Sequence, residues 1–202
     1  MARVPYLSAS NLAEEDRSLL DLSNAQRLVP ILSPSEPAEG KSPPNIYRAL
    51  ANSPDGLRNW SVPGRWFQRG CELPPRLREL AILQVGYVTN TPYQWSHHIQ
   101  IGRNTGLSDD DIRSVIAATA GDPHGLGEVE TLVLLATREI TADRRMSEET
   151  WDKLLAHLGT PRLVDLTLLI SHANAVIRVL GTLGIDVEPE FQPFLDEFPL
   201  PG

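Results

Sequence analysis

The strongest pattern of apolar and polar positions lies between Leu73 and Gly106, and it predicts two helices joined by a tight turn. In the first helix, apolar residues recur at three- and four-residue spacing along one side, and the opposite side is nearly as apolar. A helix that is apolar all round is normally buried, so we expect this one at the centre of the protein. Asn90 or Thr91 caps the second helix, and Pro92 takes its first position, where proline is favoured.

The rest of the chain from Asn45 onward also has helical periodicity, so the predicted fold is all-α. Capping residues and acidic first turns mark where several of the predicted helices begin, and glycines mark where several of them end. We predict one all-helical domain over residues 45–202. Its other helices are expected at Asn45–Ala51, from Ser53 onward with a kink or break at Pro63-Gly64, from Ser108 to Gly121, at Val129–Ile140, and from Pro161 to Leu180.

Residues 1–44 are the least helix-like part of the chain and are interpreted as an extended N-terminal arm. One short helix is expected within Ser10–Leu28, whereas Val29–Pro44 holds five prolines and favours a polyproline-like course. This proline-rich stretch is either a flexible leader or an arm that lies over a neighbouring subunit, and its apolar residues favour the arm. Residues 187–202 carry three phenylalanines, which we expect to pin the tail to its own domain or to a second subunit.

Composition limits the classes of function. A chain of 202 residues with 41% hydrophobic content can bury a sizeable core in one domain. The net charge of −8 argues against nucleic acid and against an anionic membrane surface as partners. No apolar run of about 18 residues and no signal-peptide pattern is evident, so we expect a soluble, cytoplasmic protein. The single cysteine cannot form an intrachain disulfide.

Acidic and imidazole side chains occur together in the two central helices. Glu79 falls on an apolar face of the first helix, and His97 and His98 lie within two turns of the second, beside Tyr93 and Trp95. A carboxylate and an imidazole held together inside a protein can transfer protons near neutral pH. The simpler interpretation is a buried hydrogen-bonded pair with a structural role only.

A metal or an organic cofactor is not expected. Adjacent residues on a helix point about 100° apart, so His97 and His98 would not readily share one ion. The sequence contains neither a glycine-rich phosphate loop nor a dinucleotide-binding fingerprint. We therefore predict proton transfer without a cofactor, on a small-molecule substrate.

The segment from Arg65 to Ile116 resembles the carboxymuconolactone decarboxylase and alkylhydroperoxidase D-like superfamily. The resemblance rests on RLREL at 76–80 and on YQWSHH at 93–98, which is similar to the decarboxylase-like branch. It implies an alkylhydroperoxidase D-like helical fold and a homo-oligomer, as a dimer, trimer or hexamer. It also assigns Glu79 and His98 to the acid and the histidine of the family.

The sequence departs from the peroxidase branch at the two positions that hold cysteines there. These positions are Thr91 and Gln94, and the only cysteine, Cys71, lies outside the motif. Without two thiols no disulfide can form and be reduced, so dithiol peroxidase chemistry is not expected. A peroxidase that uses Cys71 alone is a third and weaker hypothesis.

The resemblance favours a cofactor-independent lyase or decarboxylase that acts on a small carboxylic acid or lactone. In this hypothesis His98 transfers the proton and Glu79 orients it. The alternative hypothesis is a non-catalytic member that binds a small ligand or serves as a scaffold.

Substrate-binding residues are predicted around this pair. His97 or Arg65 would hold a substrate carboxylate, since arginine binds carboxylates through two parallel hydrogen bonds. A polar stripe on the last long helix, formed by Thr167, Ser171, Asn174 and Arg178, is either a solvated face or a second wall of the pocket. The remaining candidates are the aromatic wall residues Tyr93, Trp95 and Phe67, and His172, Asn174 and Arg178 near or on the stripe.

Overall fold

The structure, a computed structural model, describes residues 2–21 and 42–202. Within these ranges every regular element is a helix and no strand occurs, which confirms the predicted all-α class. Three short 3-10 helices accompany the α-helices, at Ala9–Asn11, Glu14–Leu20 and Pro189–Phe191. The α-helices are α1 (Asn45–Leu50), α2 (Pro54–Arg69), α3 (Pro75–Val88), α4 (Pro92–Asn104), α5 (Asp109–Ala120), α6 (Glu128–Asp143), α7 (Glu148–Leu183) and α8 (Gln192–Glu197).

Helix α3 lies at the centre of the domain and packs against α4, α5, α6 and α7. Leu77, Ala81 and Val85 on one side of α3 belong to a core shared with α2, α6 and α7. Leu80 and Leu83 on the other side belong to a second core, shared with α4 and α5. The expectation of a helix buried all round is confirmed, and this position puts Glu79 inside the protein.

Gly86 lets α3 and α4 approach closely. A Cβ atom at this position would lie 3.1 Å from the backbone nitrogen of Trp95 and 3.3 Å from its Cα. Contacts this short are tighter than normal van der Waals packing, and a backbone atom cannot move aside as a flexible side chain can. The close approach brings the polar residues of the two helices together further along their length.

We expect Gly86→Ala to destabilise the protein by about 1–3 kcal/mol, because the added methyl group overpacks the contact with α4. The matched control is Gly181→Ala in α7, where a Cβ meets nothing within 4 Å. That change is expected to stabilise the protein by about 0.5–1 kcal/mol through helix propensity. Urea unfolding measures both, and two changes of the same sign would contradict the packing argument.

Two predicted helix boundaries differ from the structure. Helix α2 runs unbroken from Pro54 to Arg69 although Pro63 lies inside it, so the predicted break is wrong. Leu57 and Phe67, on either side of the proline, are both buried, and their packing outweighs the loss of one backbone hydrogen bond. Helix α7 instead breaks at Gly159, whose φ of 72° is non-helical, and the helix predicted from Pro161 is the segment after this break.

Both ends of the described chain pack on the helical domain. Leu12 and Leu20 lie in a small apolar cluster with Leu57 of α2. The tail inserts Phe198 into the second core, which settles the prediction for the tail in favour of its own domain. The proline-rich stretch lies almost entirely outside the described residues, so its interpretation as an arm stays a prediction.

Helix α7 is long and apolar enough to cross a membrane by length and composition alone. Its residues Leu163, Leu166 and Leu169 are buried in the first core, as expected for the core helix of a soluble helical domain. A cytoplasmic location stays a prediction. The predicted homo-oligomer also stays a prediction, although Val62, Trp66, Val164 and Leu168 leave large apolar surface exposed.

Candidate active site

A cavity of about 160 Å³ lies between α1, α2, α3, α4 and the second segment of α7. An engineered protein cavity of about 150 Å³ holds one benzene molecule, so this cavity has the size of a single-ring ligand. Its wall is largely apolar and aromatic, and its polar groups come mainly from α3 and α4. Small-molecule sites commonly have this composition.

Glu79 and His98 meet in the cavity wall. The Oε2 atom of Glu79 lies 2.8 Å from Nδ1 of His98. The Glu79 side chain is 2% exposed, whereas that of His98 is 23% exposed. The pair is therefore closed on the carboxylate side and accessible on the imidazole side.

The hydrogen bond fixes the chemical role of each nitrogen of His98. An ionised carboxylate can only accept, so Nδ1 carries a proton and donates it to Glu79. The other ring nitrogen, Nε2, has no hydrogen-bond partner among residues 2–21 and 42–202, and His98 lines the cavity. Nε2 is the atom that can take a proton from a ligand or give one to it.

Arg78 is a cavity residue that the sequence analysis did not identify. Its Nε donates to Oε1 of Glu79 at 3.2 Å, and its Nη1 donates to the carbonyl of Phe67 at 2.8 Å. Nη2 has no partner within the described chain, and the side chain lines the cavity. A signal was present in the sequence, because Arg78 precedes the apolar, half-buried Ile82 by four residues and so shares its helix face.

His97 points into a second polar cluster, at the tail. Its ring stacks between Tyr93 and Phe191, with centroid distances of 3.9 Å to each. Its Nδ1 donates to the carbonyl of Tyr93 at 2.8 Å. Its Nε2 lies 3.0 Å from Oε2 of Glu188, but neither atom makes an aligned hydrogen bond, so this contact is electrostatic.

Glu188 ties this cluster to the start of α1. Its Oε1 accepts from the backbone N–H of Asn45 at 2.6 Å and from the hydroxyl of Tyr93 at 3.1 Å. Burial alone would raise the pKa of Glu188, but its contacts with His97 and its backbone hydrogen bonds outweigh burial and lower it. Burial also raises the pKa of Tyr93 well above its usual value, so Tyr93 remains a neutral donor. Helical periodicity provides no signal for Glu188, which lies in the segment after α7, immediately before Pro189.

We expect the ionised Glu188 to stabilise the fold, and this contribution to disappear in acid. Because its pKa is lowered on folding, the contribution is complete above its unfolded pKa and is lost as the pH falls through the folded value. Stability should therefore fall between about pH 5 and pH 3, and Glu188→Gln should make this fall smaller. Urea unfolding across this range measures both; equal slopes for the two proteins would contradict the assignment.

The rest of the cavity wall, beyond the residues of α3 and α4, comes from α1, α2 and α7. His172 lies with its ring centroid 5.4 Å from that of Trp60 and 5.6 Å from that of Phe67. Burial lowers the pKa of His172, so its imidazole is neutral at neutral pH. Tyr47 of α1 also lines the cavity, and burial raises its pKa to about 12 although Arg65 opposes this shift.

Six predicted site residues line the cavity and four do not. Trp95 lies in the second core, and its Nε1 donates to the carbonyl of Phe198 at 2.8 Å, so it anchors the tail. Asn174 donates to Thr141 at 3.0 Å and so joins α7 to α6, while Arg178 bonds back to Asn174. Arg65 stands outside the wall, near Tyr47. These four residues lie outside the cavity wall, and a substrate contact from any of them stays a prediction. The predicted residues in the wall are Glu79, His98, His97, Tyr93, Phe67 and His172.

Thr91 and Gln94, at the two positions that hold cysteines in the peroxidase branch, have other contacts in this structure. Thr91 precedes α4 and contacts the Thr89 hydroxyl, and Gln94 lines the cavity and donates to the carbonyl of Ile82. Cys71 lies outside the cavity wall, and burial raises its pKa, with a smaller contribution from Asp165. A raised pKa disfavours the thiolate that a peroxidase needs. Among the described residues no group of three or more His, Cys, Asp or Glu side chains is arranged to hold a metal ion.

The fold and the site together define a helical domain with an acid–base pair at a small internal cavity. Residues 63–138 match the model of the carboxymuconolactone decarboxylase family, a range that includes the whole of α3 and α4. No curated protein matches the sequence. The match over residues 63–138 supports the resemblance found in the sequence to the carboxymuconolactone decarboxylase and alkylhydroperoxidase D-like superfamily, and solved peroxidase-related structures share the fold.

Several solved structures share the fold at low sequence identity. An uncharacterised peroxidase-related protein with an alkylhydroperoxidase core, from Ralstonia eutropha JMP134, is 18% identical with a TM-score of 0.76, over 96% of this chain and 95% of that one. The debrominase Bmp8, as a cysteine-to-alanine variant in complex with 2,3,4-tribromopyrrole, is 17% identical with a TM-score of 0.70, over 89% of this chain and 95% of that one. A peroxidase-related protein from Silicibacter sp. TM1040 is 16% identical with a TM-score of 0.68, over 95% of this chain and 97% of that one.

Proposed function

We propose that the protein is a cofactor-independent lyase that decarboxylates a small carboxylic acid or lactone by general acid–base catalysis. The observation that carries the proposal is the 2.8 Å contact between Glu79 and His98 in the cavity wall. A buried carboxylate that holds one imidazole nitrogen leaves the other free for proton transfer, as in known acid–base sites. The match of residues 63–138 to a decarboxylase family agrees with this chemistry.

The reaction needs one proton at carbon. When the bond between the substrate carbon and its carboxylate breaks, carbon dioxide leaves and the electron pair stays on carbon. That carbon then takes the proton from Nε2 of His98, which regains one from water. While His98 is doubly protonated, the carboxylate of Glu79 stabilises its positive charge across the hydrogen bond.

Arg78 gives the site its affinity for an anion. Its side chain lines the same cavity as His98, its Nη2 has no partner among the described residues, and a guanidinium group binds a carboxylate in preference to a neutral group. Because Arg78 also donates to Glu79, it fixes the carboxylate that orients His98. The debrominase of the same fold is solved with tribromopyrrole, which supports a single-ring ligand for this cavity as well.

Turnover of a panel of lactones and carboxylic acids tests the proposal. We expect the wild-type protein to convert at least one compound with loss of carbon dioxide, detected by mass spectrometry. His98→Gln should abolish this conversion, and His124→Gln, in a loop outside the cavity wall, should retain it. Circular dichroism spectra establish that the variants are folded.

Two outcomes would contradict the proposal. Conversion at the wild-type rate by His98→Gln would remove His98 from the mechanism. Binding of panel compounds without any conversion would favour the alternative, a non-catalytic member that binds a small ligand.

A further inference from the structure

His172 is a cavity residue that the proposed proton transfer does not use. It extends from the second segment of α7, whereas Arg78, Glu79 and His98 belong to α3 and α4. Its ring lies beside those of Trp60 and Phe67. The part of the wall that α7 contributes is otherwise apolar, since its other lining residues are Leu169, Ala173, Val176 and Leu180.

The ring nitrogens of His172 have no hydrogen-bond partner among the described residues. Its contacts there are the two ring contacts with Trp60 and Phe67. In the described chain, the side-chain polar atoms that are buried from solvent and lack a hydrogen-bond partner are Nε2 of His97 and Oε2 of Glu188. The ring nitrogens of His172 are not among these atoms, so both are accessible to water or a ligand. An imidazole in a cavity wall whose nitrogens are accessible and have no protein partner can offer both of its hydrogen bonds to a ligand.

The imidazole of His172 is suited to a neutral partner. Burial keeps it uncharged, so it offers one N–H donor and one acceptor nitrogen and attracts no anion. A hydroxyl or carbonyl oxygen matches this pair of groups. The aromatic rings beside it favour a flat ligand, because planar rings pack well on one another.

We infer that the cavity selects a single-ring carboxylic acid that carries one uncharged oxygen substituent, with its carboxylate at Arg78 and the substituent at His172. This inference rests on the role of Arg78 in the proposed function and adds the substrate class. His172 is then a specificity-determining residue, outside the proton-transfer step. The cavity volume of about 160 Å³ suits a ligand with one ring.

Equilibrium binding of simple probes tests this inference without any need for turnover. Isothermal titration calorimetry of the full chain is carried out with benzoate, the three hydroxybenzoates and the three methylbenzoates. Each methyl isomer matches a hydroxyl isomer in shape and lacks only its hydrogen bond. We expect at least one hydroxybenzoate to bind about tenfold more tightly than its methyl isomer, the effect of one good hydrogen bond in a closed site.

Substitution of His172 should remove this preference. In His172→Phe and in His172→Leu the hydroxyl and methyl isomers are expected to bind with equal affinity, and His172→Gln should keep part of the difference. His157→Phe, at an exposed position of the same helix, is the matched control and should keep the full preference. Two apolar variants are used so that one that fails to fold leaves the comparison intact.

Three results would overturn the inference: no single-ring acid binds, no hydroxyl isomer is preferred, or the preference survives in the apolar variants. The proposed function fails separately. A protein that shows the preference and converts nothing would refute decarboxylation and leave this substrate class standing. Conversion without the preference would refute the substrate class alone.

Discussion

Glu79→Gln is expected to lower kcat by about 10²- to 10⁴-fold, the usual contribution of an acid–base pair. Glutamine keeps the shape of the side chain, and its one oxygen can still accept from Nδ1 of His98. The bond from Nε of Arg78 is lost, but Arg78 keeps its hydrogen bond to the carbonyl of Phe67. The substitution removes the negative charge that stabilises the protonated imidazole, so the loss falls on the proton-transfer step. KM should change little, because Glu79 is already occupied by Arg78 and His98 and has no free oxygen for the substrate.

The control for this variant is Glu149→Gln, which removes an exposed carboxylate paired with Lys153 on α7. Its kcat should equal that of the wild-type protein. Steady-state kinetics with a compound from the turnover panel measures both variants. A Glu79→Gln protein that is folded and retains wild-type kcat would show that the buried pair is structural only.

Arg78→Met is expected to raise KM for carboxylate substrates by about 10- to 100-fold, the range for a hydrogen bond to a charged group. The methionine fills much of the same space but leaves the substrate carboxylate without a cation. Some loss of kcat should accompany it, since Oε1 of Glu79 also loses its partner. The methyl ester of the same substrate should bind equally to variant and wild type, because it carries no charge for Arg78 to recognise.

Arg65→Met tests whether the substrate carboxylate binds at Arg78, as the structure suggests, or at Arg65, as the sequence analysis predicted. Arg65 stands outside the cavity wall, so the change should raise KM much less than Arg78→Met does. A larger effect at Arg65 than at Arg78 would restore the original prediction that Arg65 holds the carboxylate.

The sequence predicted the fold and the central pair because both depend on local periodicity. The apolar residues on both sides of α3 could only belong to a buried helix, and Glu79 had to be buried with them. The turn at Thr91-Pro92 fixes where α4 begins and so places both histidines near Glu79, and the family resemblance singled out His98. Proline was the less reliable guide, since Pro63 does not break α2 and the glycine at position 159 does break α7.

The rest of the site depends on tertiary contacts that periodicity does not encode. Trp95 and His98 lie less than one turn apart on α4, yet one faces the tail and the other faces the cavity. Glu188 comes from a tail without helical pattern, and only the folded chain brings it to His97. Arg78 was missed because a cation beside a buried glutamate suggests the surface more often than a cavity.

The tautomer of His98 tests the central claim most directly. Long-range ¹H–¹⁵N NMR spectra of protein with ¹⁵N-labelled histidine distinguish protonated from bare ring nitrogens, and His98→Gln assigns its signals. We predict that Nδ1 of His98 is protonated near neutral pH. In Glu79→Gln the His98 signals should change, and those of His157 should not. A bare Nδ1 with the proton on Nε2, or His98 signals that are the same with and without the Glu79 carboxylate, would contradict the account.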